Sequence, residues 1–376
     1  MVIEVVRIGQ RVVRDDRVTT HVALVSRAFG ARKIFMTEVN PEIKDTLEKI
    51  NKTWGGNFIV EFIDKWKSIV KKKKEDNFKS GYAAIVGKPN VGKSTLLNHL
   101  VMRKIAAISS KPQTTRNKIT GVVHFPGGQV ILLDTPGIHK TSSQFNQLMV
   151  KASLSTYKDV DVILFVVDAN QGFAENDIFV LDTLKGVESP KILIINKIDL
   201  VSKPDLLGLI AEADGKFDFE EIIPVSALRS DGLKDLGLTV LNYLPEGPQY
   251  FPDDMITNCS EEFLIEEIVR EKVMHRTRME VPYSIAVVVE GTHEGHGGVW
   301  VIDALVIVEK PSQKKILIGA KGAMLKKLGK PAREEIEKRF GCKVYLNLFV
   351  KVKNNWRDDK RSLRDLGYLH DSNKNR

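Results

Sequence analysis

The sequence predicts a doubly wound, mostly parallel α/β sheet, followed by an α+β domain and preceded by a truncated α/β module. Three observations carry this. Between residues 82 and 227, five near-continuous apolar runs recur with room for helices between them, the pattern of strands buried on both faces. From about 261 to 356 the text reads helix, strand, strand, short helix, longer helix, strand. Before residue 71, three strand-like stretches alternate with helically spaced ones.

The bulk properties suit this division. A chain of 376 residues is too long for one ordinary domain. Hydrophobic residues at 43% and charged residues at 28% describe a globular rather than a disordered chain. The net charge of +9 favours polyanionic partners, either nucleic acid or an anionic membrane surface. Cys259 and Cys342 are the only cysteines, which excludes a disulfide framework and fits a reducing, cytoplasmic interior. The opening MVIEVVRIGQRVVRDD is too charged for a signal peptide, and no apolar run approaches membrane-spanning length.

Taken in order, IEVVRI, KIFMTE and NFIVEFI are expected as strands, with helices over 17–29 and 41–51. The run KKKKED at 71–76 reads as a solvated helix end or linker, closing a first segment at 1–76. The second domain, 77–247, is expected to hold strands at YAAIVG, VILLDT, DVILFVVD, KILIINK and IIPVSA. A proline-rich linker spans 248–260, the α+β domain 261–357 and a tail 358–376.

Chemistry enters at Gly87-Lys88-Pro89-Asn90-Val91-Gly92-Lys93-Ser94, which matches GxxxxGK[ST] between a buried strand and a helix. Glycines there let backbone N–H groups converge on phosphate oxygens, backed by the positive end of the helix. Gly87, Asn90, Val91, Gly92, Lys93, Ser94 and Thr95 are therefore expected around a triphosphate, Lys93 reaching the β- and γ-phosphates and Ser94 ligating Mg²⁺. Asp134-Thr135-Pro136-Gly137 follows a strand, placing a carboxylate for the metal and an N–H where a γ-phosphate would lie. At Asn196-Lys197-Ile198-Asp199 the Asp199 carboxylate can accept both the ring N–H and the exocyclic amine of guanine, which adenine cannot offer. Ser226-Ala227-Leu228 ends a further strand, where its backbone can meet the guanine carbonyl. In this order, each at a strand end, these tetrapeptides specify GTP or GDP with Mg²⁺.

The set resembles the translation-factor class of GTPases, and Lys111-Pro112-Gln113-Thr114-Thr115-Arg116 with DTPGIHK is similar to the Era family. That resemblance implies that Thr115, in preference to Thr114, closes on Mg²⁺ beside Ser94 and Asp134, and that Lys93, Thr115 and Gly137 act in catalysis. Ile138 stands where Ras-like proteins carry the water-orienting glutamine, so slow intrinsic hydrolysis is expected. Asn90 matches a position that in related GTPases helps bind K⁺, with Arg116 a weaker candidate for the extra cation.

Gly319-Ala320-Lys321-Gly322 lies between two helices, as the GxxG loop of a KH module does, and the α-β-β-α-α-β order around it corresponds to type II. Lys314, Lys315, Lys321, Lys326 and Lys327 supply phosphate attraction, while Ile316, Ile318 and Leu325 are expected in the groove wall and core. EKPSQKKILIGAKGAMLKKLG also resembles Era, with Ala320 where that family usually carries a basic or polar residue. The resemblance covers roughly 81–356. It implies binding to the 3′ end of 16S ribosomal RNA during small-subunit assembly, loose inner-membrane association, and no small-molecule substrate besides GTP.

Residues 1–70 are different. Arg7, Arg11, Arg14, Asp15, Arg17, Thr19, Thr20, His21, Ala28, Phe29, Gly30 and Ala31 resemble the opening half of an archaeal SPOUT-class tRNA ribose 2′-O-methyltransferase. That family's methyl-donor pocket lies in a C-terminal knot, which this chain replaces by the GTPase, so a tRNA contact without methyl transfer is expected. The alternative is a tRNA-modifying fusion in which the GTPase is regulatory. His293 and His296 lack a third ligand at metal spacing and read as a strand–strand loop. Trp54, Trp66, Trp300 and Trp356 read as packing residues. The K⁺ role of Asn90 requires turnover to differ between K⁺ and Na⁺ buffers; phosphate release at equal rates in both would remove it.

Overall fold

A computed structural model of the chain describes the backbone of 3–7, 31–36 and 59–62, and residues 78–138 and 144–368. Strands β1 (Ile3–Arg7), β2 (Ala31–Met36) and β3 (Ile59–Phe62) form a parallel sheet in the order β1-β2-β3. They fall on IEVVRI, KIFMTE and NFIVEFI. The helices expected at 17–29 and 41–51, the KKKKED run, Trp54, Trp66, His139, Lys140 and the final residues 369–376 lie outside the described residues. So do the residues that carry the methyltransferase resemblance, apart from Arg7 and Ala31. Met1–Asn77 is one compact unit and Phe78–Arg376 another.

The second unit opens with a six-stranded sheet. Its strands are β4 (Lys79–Val86), β5 (Ile119–Phe125), β6 (Gly128–Asp134), β7 (Val162–Asp168), β8 (Lys191–Asn196) and β9 (Glu221–Val225), in the order β5-β6-β4-β7-β8-β9. All pairings are parallel except β5 with β6. Helices α1 (Lys93–Leu100), α2 (Gln144–Thr156), α3 (Glu175–Thr183), α4 (Lys203–Lys216) and α5 (Leu233–Tyr243) connect the strands. Alternate residues feed two cores: Ile192 and Ile194 enter one, Leu193 and Ile195 the other. The strand β5 was not expected. ITGVVHF mixes Thr120, Gly121 and His124 with apolar residues, as suits the end strand of a sheet, and turns into β6 through Pro126 and Gly127.

The α+β part comprises α6 (Glu261–Arg276), β10 (Ala286–Glu294), β11 (Trp300–Val308), α7 (Pro311–Ile318), α8 (Ala323–Phe340) and β12 (Val344–Val352). Ser260 caps α6 by accepting the Phe263 N–H. Strand β11 runs antiparallel to β10 and parallel to β12. Ile265, Val269, Val306, Leu328 and Ile336 fill one core between sheet and helices. His293 is not in a loop. Strand β10 continues to Glu294, pairing His293 with Val301, and only His296 sits in the short turn His296–Gly298.

The linker at 248–260 is docked rather than free. The Gln129 Oε1 accepts from the N–H groups of Tyr250 (2.7 Å) and Phe251 (3.0 Å), and its Nε2 donates to the Phe251 carbonyl at 3.0 Å. In the tail, where SLRDLGYL reads as a short helix, α9 (Lys360–Asp365) buries Leu363 in a cluster with Trp356 and Phe145. Trp300 meets Phe340 edge-on at 5.2 Å. Ile194→Ala or Leu193→Ala, each emptying a fully buried site in β8, is expected to cost about 2–5 kcal/mol in urea unfolding.

Candidate nucleotide-binding site and RNA groove

The site lies at the carboxyl ends of the parallel strands, where this class of sheet places its ligands. Gly92 begins α1 with φ of 101°, and a Cβ there would fall 2.3 Å from Asn196 Nδ2, so no other residue fits. Asn196 is the stitch of the region. Its Nδ2 donates to the Val91 carbonyl at 2.8 Å, and its Oδ1 accepts the Ala227 N–H at 3.0 Å, tying the phosphate loop to the turns after β8 and β9. Lys197 adopts φ of 66°; its ammonium donates to Asp168 Oδ2 at 2.6 Å and to the Asn90 carbonyl at 2.8 Å. Asp199 accepts from Ser226 Oγ at 2.6 Å, with Arg229 Nε 3.7 Å from its other oxygen. The Leu228 side chain is exposed.

Three residues from separate elements meet at an oxygen cluster. Ser94 Oγ lies 2.6 Å from Thr115 Oγ1 and donates to Asp134 Oδ2 at 2.7 Å, to which Thr115 donates at 3.1 Å. Asp134 is fully buried and its Oδ1 has no partner. Burial pushes its carboxyl up to about 6 despite Lys93, Ser94 and Thr115. Burial likewise pulls Lys93 down to about 8 against Asp134 and Asp177, while its ammonium donates to the carbonyls of Gly87 (3.0 Å) and Lys88 (2.9 Å). Hydroxyl and carboxylate oxygens with one buried lone pair unclaimed fit a hard cation such as Mg²⁺. A triphosphate would hold Lys93 charged, and the cation would do the same for Asp134.

A cleft of about 350 Å³ borders this cluster, lined among others by Asn90, Thr95, Gln113, Gly137 and Lys197. Thr114 also lines the cleft, but its hydroxyl donates to the Lys111 carbonyl at 2.7 Å and takes no part in the oxygen cluster. Thr135 and Pro136 are buried, and the Thr135 hydroxyl donates to the Ile85 carbonyl at 3.1 Å, so this pair fixes the segment that presents Gly137. Ile138 is fully buried in the core. The guanidinium of Arg116 faces away from the cleft. Sequence reasoning missed Asp168, whose signal was an acidic residue ending the strand VILFVVD, and the buried Lys88–Asp177 pair at 2.7 Å, which leaves no local trace.

At the second site, Gly319 (φ 69°), Lys321 (φ 49°) and Gly322 (φ 78°) turn the chain between α7 and α8. Lys315, Lys321, Lys326 and Lys327 are exposed there, with Ala320 beside them and Lys314 half-buried. A groove of about 700 Å³ runs between α8 and β12, bordered by Gly322, Leu325, Lys326 and Arg333 on one side and Tyr345, Leu346 and Leu348 on the other. Ile316 is instead exposed on α7. Sequence reasoning missed the β12 wall, although the alternation in YLNLFVKV carries it.

Residues 82–197 match the family described as 50S ribosome-binding GTPase, and residues 280–357 match the KH domain family. The chain is 49% identical to GTPase Era of Geotalea daltonii over 294 residues, 78% of this chain and 99% of that protein. It is 48% identical to GTPase Era of Geobacter metallireducens over 295 residues, with the same coverage. Among solved structures, Aquifex aeolicus Era bound to GDP·AlF4⁻ is similar at a TM-score of 0.75 and 44% identity, covering 78% of this chain and 100% of that one. Equal values relate the chain to Era in complex with MgGDPNP and nucleotides 1506–1542 of 16S ribosomal RNA.

Because the native state raises the Asp134 pKa above its ordinary value, it holds that proton longer than the unfolded chain does. Stability therefore falls as pH rises from 3.8 to about 6, and the whole penalty is present above that range. Asp134→Asn is expected to raise ligand-free stability at pH 7.5 by about 1–3 kcal/mol, while abolishing the Tm increase produced by GTP with Mg²⁺; thermal melts with and without ligand check both.

Proposed function

This chain belongs to the Era family of GTPases, and from that premise we propose that GTP hydrolysis times its release from the 3′ end of 16S ribosomal RNA during small-subunit assembly. It binds GTP and GDP with Mg²⁺ and hydrolyses GTP. The observation that carries the reading is one compact unit holding both the Ser94–Thr115–Asp134 cluster and the grooved KH turn.

In this reading Asp199 selects the purine by accepting two guanine donors, and adenine leaves that carboxylate unmatched, a mismatch worth up to about 10⁴-fold. Lys93 exchanges its two carbonyl partners for phosphate oxygens, and the Gly137 N–H meets the γ-phosphate. Mg²⁺ held by Ser94, Thr115 and Asp134 supplies charge neutralisation between the β- and γ-phosphates. Ile138, sealed in the core, offers the attacking water nothing, so unassisted turnover is slow. The RNA backbone follows Lys321 and Gly322 into the groove, where Tyr345, 60% exposed, offers a ring for a base.

The reading places the chain in the cytoplasm. Its finer part is a peripheral contact with an anionic membrane, supported by the net charge of +9; no helix among the described residues is long and apolar enough to cross one. The tRNA contact expected of residues 1–76 rests on side chains outside the described residues and stays apart from this reading. Multiple-turnover phosphate release from GTP is expected, and Lys93→Ala should abolish it. Persistent turnover in that variant would reject the site. Lys326→Ala should lower the slope of log affinity against log salt for single-stranded RNA by about 0.7, with GTP turnover unchanged.

A further inference from the structure

The loop that carries Thr115 is held on two sides. On one, Thr115 reaches Ser94 and Asp134. On the other, residues of the loop before and after Thr115 are fastened to backbone and side-chain groups of the KH part. Lys111 donates through its ammonium to the carbonyls of Met274 and Thr277, at the negative end of α6. Ile108 donates its N–H to Glu271 Oε2 at 2.9 Å, and its carbonyl lies 2.8 Å from His275 Nε2. Arg116 donates to the carbonyls of Ile285, Pro282 (2.9 Å) and Tyr283 (3.3 Å).

Arg116 is an unusual anchor. It is 4% exposed, its acceptors are carbonyls rather than a carboxylate, and its Nε has no partner. Its cation stands 5.8 Å from the centre of the Phe145 ring. Phe145, near the start of α2, meets Trp356 edge-on at 5.5 Å and Tyr368 at 5.0 Å, and Trp356 Nε1 donates to the Ser284 carbonyl at 3.0 Å. The stretch 282–285 is thus gripped by Arg116 from the loop and by Trp356 behind Phe145. Burial pulls the Arg116 pKa down, and the Tyr368 hydroxyl and the Glu267 carboxylate only partly oppose it, so the guanidinium depends on these carbonyl acceptors staying in place. Adjacent residues are about 3.8 Å apart at Cα, so Thr115 cannot leave Asp134 without straining this arrangement.

We infer that Arg116 is a positioning residue that couples the metal-binding position of Thr115 to the seating of the KH part, so that nucleotide and RNA are sensed through one side chain. This rests on the function proposed above. Coupling of this kind is reciprocal: the factor by which GTP tightens RNA is the factor by which RNA tightens GTP.

The test uses the full chain and a single-stranded RNA matching the 3′ end of 16S ribosomal RNA, with affinities measured in Mg²⁺–GDPNP and in Mg²⁺–GDP. The wild type is expected to differ between the two by about 5-fold or more. Arg116→Ala should bring the ratio to about 1, with affinity in the GDP state within about threefold of wild type. Arg116→Lys, lacking the planar fork, should fail to restore the ratio. A second readout needs no RNA: Arg116→Ala should raise the Mg²⁺ concentration required for GDPNP binding about tenfold. If Arg116→Ala does not fold, Lys111→Ala, which loosens the other end of the loop, should lower both quantities' wild-type advantage in the same direction. A wild-type ratio of 1 rejects the timing function while the Mg²⁺ readout still decides the role of Arg116. An unchanged Mg²⁺ requirement in the folded variant overturns the inference.

Discussion

Everything in the nucleotide half is arranged around one buried carboxylate. Asp134 sits at the end of β6 without solvent contact, and only the Ser94 and Thr115 hydroxyls and the nearby Lys93 offset its desolvation. A charge in such a place is costly until a cation arrives. The ligand-free site therefore stores instability that binding relieves, and the surrounding parallel strands must be rigid enough to hold it. Two apolar layers on either face of β4, β7 and β8 provide that rigidity.

The remaining motifs serve the same centre by fixing backbone. Asn196 and Lys197 spend their side chains on the phosphate loop and on Asp168. Through these bonds they set where the N–H groups of the loop point. This is preorganisation in the ordinary sense: the donors are already aimed before charge develops.

How much of this was legible depended on range. The phosphate loop, Asp134 and Asn196 could be read because each needs a specific residue type at a strand end, a requirement written within a few positions. The GxxG turn was legible for the same reason, through glycines at positive φ. Strand β5 was not, since an edge strand with one neighbour tolerates mixed polarity. The anchoring role of Arg116, read only as a weaker candidate for the extra cation, was not legible because its partners lie more than 160 positions away. The Lys88–Asp177 pair and the docking of the linker by Gln129 escaped for the same reason: a pairing across the fold leaves no periodicity or spacing behind.

The linker has a second effect, at the outer edge of the large sheet. Val122 N–H donates to the Ile256 carbonyl at 2.8 Å, and the Thr257 hydroxyl donates to the Thr120 carbonyl at 2.6 Å. The connector thereby occupies hydrogen-bonding groups that β5 would otherwise offer to another chain. A fragment ending before residue 248 would lose this cover together with the anchors of the loop that carries Thr115, leaving a sticky border on the sheet. Colloidal behaviour, as much as chemistry, therefore ties the first domain to the segment that follows it.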